Sequence, residues 1–81
     1  MAAPYSRYMV KLSLEPGFWG AADAADAARI VANLTTMIHE QFPGIAVGTT
    51  DGNRSIKTSG PDGVTVKAID AWVSGHWPAA L

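Results

Sequence analysis

The sequence predicts a small α+β domain: a three-stranded sheet with two helices packed on one face, in the order strand–helix–strand–strand–helix. Three observations carry that expectation. Apolar and polar side chains alternate over residues 6–14, and apolar residues then recur at a helical period from about Trp19 to Phe42. After that, the turn clusters Asp51-Gly52-Asn53 and Ser59-Gly60-Pro61-Asp62-Gly63 cut the chain into short segments. At 81 residues the whole chain, 1–81, is one domain.

In the first segment Tyr8, Val10, Leu12 and Leu14 point one way, and Arg7, Met9, Lys11 and Ser13 the other. A period of two is that of a half-buried strand. Glu15-Pro16-Gly17 ends it, because proline cannot donate to a ladder. In the long helix Ala27, Ile30, Val31, Leu34, Met37, Ile38 and Phe42 share a face, and Arg29, Asn33, Thr36 and Glu40 form the polar stripe. The alanine-rich stretch 21–32 supplies helix propensity, and Asp23 and Asp26 complement the dipole in the first turns. Pro43-Gly44 stops it. Ile45–Thr50 reads as the second strand, with Ile45 and Val47 inward. Asp51-Gly52-Asn53 is a tight-turn signal that predicts a hairpin, returned by Arg54–Thr58 with Ile56 inward. Residues 64–68 alternate like a strand, but the alternation fails beyond Ala68 while a 3.6-residue pattern continues. A second helix is therefore expected, with Thr65, Val66, Ile69, Trp72, Val73 and His76 on one face and Lys67, Asp70 and Ser74 opposite. Asp62 is placed to cap it and Gly75 to end it, with Pro78 just beyond.

Composition narrows function chiefly by exclusion. A chain that is 48% hydrophobic and 16% charged is too apolar to stay disordered. With no cysteine, disulfides, iron–sulfur clusters and thiolate zinc sites are ruled out. A net charge of −1 gives no bulk attraction to nucleic acid. Pro4, Ser6 and Arg7 interrupt any secretory signal core, and no apolar run approaches the roughly 20 residues that span a bilayer. A cytoplasmic location without membrane contact is the expectation.

The residues capable of chemistry do not assemble into a site. His39 and His76 lack metal-ligand spacing. Asp51, Asn53, Ser55, Ser59 and Asp62 fall in a calcium-loop register, yet Ile56 stands where that loop needs glycine. Ser6, Ser13, Ser55, Ser59 and Ser74 lie in strands, turns and a polar helix face rather than at a nucleophile elbow. Pro16-Gly17-Phe18-Trp19-Gly20 lacks the Gly-Lys-Ser/Thr ending of a phosphate loop, and Asp23 and Asp26 would repel an anion there; Phe18 and Trp19 read instead as a plug under the loop. No enzymatic activity, metal or cofactor is expected.

Two binding modes follow from the surface residues. Strand parity puts Tyr5, Arg7, Met9, Lys11 and Lys57 on the sheet face away from the helices, an aromatic among cations that would suit single-stranded nucleic acid. Against it stand the lone aromatic, the net charge of −1 and the lack of a basic cluster. The favoured expectation is a non-catalytic regulatory or inhibitory protein that binds a larger protein, with self-association as a homodimer a further option. Such small stand-alone chains are common among phage and mobile-element products. The residues that point to protein binding are the alanine stripe Ala21, Ala25, Ala28 and Ala32, which allows close approach of another backbone, and Trp72, His76 and Trp77. Tryptophan is enriched at binding hot spots, and Trp77 is expected on an irregular tail, either folded under the domain or standing out as an anchor.

Overall fold

Val10 and Leu12, the two bulky inward residues of the first strand, are fully buried and decide the layout of the sheet. The computed structural model describes residues 4–50 and 56–81. Its elements are β1 (Met9–Ser13), α1 (Pro16–Trp19), α2 (Ala24–Gln41), β2 (Ala46–Thr50), β3 (Lys57–Ser59) and α3 (Gly63–His76), followed by a 3₁₀ turn over Trp77–Ala80. This is the expected α+β architecture, with a mixed three-stranded sheet in the order β2-β1-β3. α2 carries the chain over from β1 to its parallel neighbour β2 (Met9 beside Ala46, Ser13 beside Thr50), and β3 runs antiparallel to β1.

The predicted hairpin does not form as a paired unit. β2 and β3 occupy opposite edges, and β1 lies between them. The physical reason is burial. β1 has the most apolar inward face, and the centre of the sheet pairs it on both sides; Ala-Val-Gly-Thr-Thr and Lys-Thr-Ser are sparse enough for edges. A turn signal specifies reversal of direction, and the chain does reverse between β2 and β3, but reversal does not make them neighbours. The turn Asp51-Gly52-Asn53 itself, with Arg54 and Ser55, lies outside the described residues.

The helices differ from expectation at their ends. Pro16-Gly17 opens α1 rather than a plain turn, with proline at a first-turn position where no N–H is needed. Gly20, at φ 70°, closes α1 in the left-handed region that favours glycine. α2 therefore starts at Ala24, not near Trp19. Asp23 is its cap, accepting from the Asp26 N–H at 2.8 Å. α2 buries Ala27, Ile30, Val31, Leu34 and Ile38. Residues 64–68 are helical, within α3, and Asp62 caps that helix as predicted. Gly75 does not end it; α3 runs through His76 into the 3₁₀ turn, in which Pro78 takes an early position. Asp70 is not a solvent-stripe residue either, since its carboxylate accepts from the Thr58 hydroxyl of β3 at 3.1 Å.

One core joins the sheet to both long helices: Val10 and Leu12 of β1, the α2 stripe, Ile69 and Val73 of α3, and Trp19, Phe42, Ile45 and Ala80. Trp19 is only 2% exposed, and its indole N–H donates to the Ser13 carbonyl at 2.7 Å, so the loop after β1 is plugged from below. The Tyr8 ring lies so close to Gly60 that a Cβ at that position would overlap it. That contact is why the turn after β3 carries glycine at 60.

Candidate partner-binding surface

The aromatic residues sort into two groups. Phe18, Trp19 and Trp77 form one, with Trp77 edge-on to Trp19 at 5.3 Å between ring centroids. Tyr8, Tyr5, Phe42, Trp72 and His76 form the other, each in contact with the next. Membership of these groups fixes what each ring is able to do.

Trp77 is half-buried and folded under the domain. The 3₁₀ turn that carries it docks on α2: Ala80 is buried, and the Asn33 amide donates to the Ala80 carbonyl at 3.1 Å. Arg29 donates to the Leu81 carbonyl at 3.4 Å. The expected irregular tail is thus an ordered turn, because two side chains of the α2 polar stripe satisfy its carbonyls.

Tyr5 leaves the sheet face on which strand parity placed it. Residues 4–7 form a turn before β1, and the Tyr5 ring packs edge-on to Phe42 at 5.0 Å. The alternation of residues 6–14 extended the strand too far back, and parity stops applying where the backbone turns. Arg7, Lys11 and Lys57 are exposed, and Lys11 and Lys57 face each other directly across β1 and β3. Among the described residues no carboxylate pairs with them; the ion pair present is Arg29–Asp26 at 2.7 Å.

The alanine stripe is divided as well. Ala21 precedes α2 and packs against the core, whereas Ala25, Ala28 and Ala32 are exposed on α2. His39 is exposed on the last turn of the same helix.

α3 supplies what the sequence reading missed. At 100° per residue, Val64, Ala68, Ala71 and Gly75 fall within one narrow arc, and all four are exposed. Val64 is 78% exposed, the most exposed large hydrophobic side chain of the described residues. The arc borders Trp72, which is half-buried and held edge-on to Phe42 at 5.4 Å. His76 stacks on Trp72 at 4.3 Å with planes 14° apart, and its Nδ1 lies 2.7 Å from the Trp72 carbonyl oxygen. The stack fixes the Trp72 ring from one side, so the surface offers an apolar strip beside a positioned indole. The spacing of 4, 3 and 4 in Val64-Ala68-Ala71-Gly75 repeats that of Ala21, Ala25, Ala28 and Ala32 and was the available signal. It was obscured because Lys67, Asp70 and Ser74 looked like the solvent face.

Lys67 is exposed on α3 next to Ala71, and each long helix starts on a carboxylate that caps it. Asp62 at the α3 N-terminus accepts from the Thr65 hydroxyl at 2.6 Å and from the Thr65 N–H at 3.3 Å. Those bonds, the hydroxyl first, hold its carboxyl below the ordinary aspartate range. Asp26 is lowered too, by the Arg29 guanidinium and then by the Ala22 N–H. Among the described residues there is no concave pocket and no group of three His, Asp or Glu side chains arranged to hold a metal. Nor is any helix among them long and apolar enough to cross a membrane. No protein family, curated protein or solved structure matches the chain at a significant level.

Proposed function

We propose that the protein is a non-catalytic regulatory or inhibitory protein that works by binding a larger protein through the outward face of α3. The observation that carries this reading is the exposed strip Val64, Ala68, Ala71 and Gly75 beside Trp72. A helix with apolar residues on both faces ordinarily buries both, and α3 buries only the side of Ile69 and Val73. Small side chains let a partner backbone come close, and a half-exposed tryptophan at the border is the residue type that most often dominates binding energy.

A second reading rests on the Lys11–Lys57 pair: the open sheet face would neutralise phosphates of a single-stranded nucleic acid. Withdrawal of Tyr5 removes its stacking platform, so it ranks behind the first.

One experiment separates the two. Partners are captured from an extract of the source organism with wild type, with Ala68→Glu, and with Arg7, Lys11 and Lys57 all changed to Gln. The expected result is a protein retained by wild type and by the triple variant and lost, at least tenfold, from Ala68→Glu, with the circular dichroism spectrum of every variant unchanged. Retention by Ala68→Glu equal to wild type overturns the α3 face. Salt-sensitive oligonucleotide binding lost in the triple variant puts the sheet face first.

A further inference from the structure

The two edges of the sheet are built differently. β3 is three residues long, carries Lys57, and is followed by Gly60-Pro61, all features that discourage strand addition. β2 is five residues long and, from Ile45 to Thr50, has no charge and no proline. Its ladder to β1 is anchored by the Ala46 N–H donating to the Tyr8 carbonyl at 3.1 Å and the Leu14 N–H to the Thr50 carbonyl at 3.2 Å. In a parallel ladder alternate residues bond to the same neighbour, so residues 46, 48 and 50 face β1. Val47 and Thr49 therefore turn their N–H and C=O groups outward, where no described residue meets them.

We infer that this edge pairs with the same edge of a second copy, β2 against β2 in antiparallel register, with Gly48 on the two-fold axis. The inference concerns a surface apart from α3 and stands or falls independently of the partner proposed above. Three features select a second copy over another strand. The outward groups are self-complementary: a two-fold through Gly48 sets Val47 opposite Thr49 of the other copy, and each such pair exchanges both of its N–H···O=C bonds. The strand carries no charge, so two copies meet without like-charge repulsion. The third feature concerns area. A five-residue edge alone falls short of the roughly 800 Å² per partner of a stable interface, and α2 supplies more. α3 lies over β3, through the Asp70–Thr58 bond, and the 3₁₀ turn lies against α2 through Asn33. That order sets α2 toward β2. Ala28 and Ala32 stand on the flank of α2 opposite Asn33, so they face the same side as the open edge. Pairing the strands brings these flanks of the two copies together; Ala28, Ala32 and Thr35 keep most of the flank small, and His39 stands at its C-terminal end. The product is a continuous six-stranded sheet, β3-β1-β2-β2-β1-β3.

Sedimentation velocity across a concentration series tests it, on wild type, Thr49→Lys, Thr49→Glu and an equimolar mixture of the two variants. Thr49 is exposed, so neither change disturbs the monomer core. Wild type is expected to dimerise in the micromolar range and each variant to dimerise at least tenfold more weakly; the mixture is expected to recover a heterodimer. Wild type that stays monomeric to 1 mM overturns the inference, as does a dimer that both variants leave untouched. Hydrogen exchange gives a readout that needs no variant. The Val47 and Thr49 amides are expected to gain protection as wild-type concentration rises, and dimerisation without that gain also overturns the inference.

Discussion

α2 and α3 are both apolar-rich helices of one small domain, and they use their apolar residues in different ways. α2, at 18 residues, buries five, packs the half-buried Met37 against the same core and gives its remaining circumference to alanine and polar side chains. α3, at 14 residues, buries Ile69 and Val73 and leaves Val64 and the alanines beside it in water. The lesson is that apolar content alone does not locate a core. What separates core from display here is which arc of a helix meets the sheet, and α3 holds more apolar arc than the sheet covers.

The strongest way to break the comparison is at its heavier end. Leu34→Ala removes a fully buried α2 side chain and is expected to cost about 3–4 kcal/mol in chemical denaturation. A loss below about 1 kcal/mol would show that α2 is not the centre of the core. Trp77→Ala tests the joint between the two helices. The ring is half-buried against Trp19, so the expected loss is about 2 kcal/mol, with partner capture per folded molecule unchanged. A stable variant that loses its partner would make Trp77 an anchor and weaken the α3 strip.

The smallest effect comes from the helix starts. The native pKa values of Asp26 and Asp62 lie below the unfolded value, so their contribution is complete at neutral pH. It is lost as pH falls below about 4, through the lowered native values. Melting temperature is therefore expected to drop on acidification. In Asp62→Ala the neutral-pH melting temperature should be slightly lower and the acid slope shallower; an unchanged slope would remove the cap from the account.

Much of the fold was legible because it is local. The 3.6-residue recurrence of Ile30, Leu34 and Ile38 defines α2, and the persistence of that period past Ala68 separated α3 from a fourth strand. Strand order was not legible, since Asp51-Gly52-Asn53 reports a reversal of direction whereas adjacency is decided by competition for the Val10–Leu12 face. Tyr5 was misplaced because parity was carried through a turn that no glycine or aspartate marks. Of the surface, Trp72 and His76 were legible as residue types. The strip beside them had its 4, 3 and 4 spacing as a signal, but Asp70 masked it by reading as solvent face when it accepts from Thr58, a tertiary hydrogen bond with no sequence signature.

The position of β1 between two strands that are both distant in sequence has a kinetic consequence. No pair of strands in this sheet is joined by a short loop: β1 meets β2 only across α2, and meets β3 only after β2 has been passed. A helix of this length forms within about a microsecond, whereas closing such non-local pairs requires ordering the intervening chain first. Folding of this domain is therefore expected to be slower than that of a helical bundle of the same length, and stopped-flow refolding is the measurement that checks it.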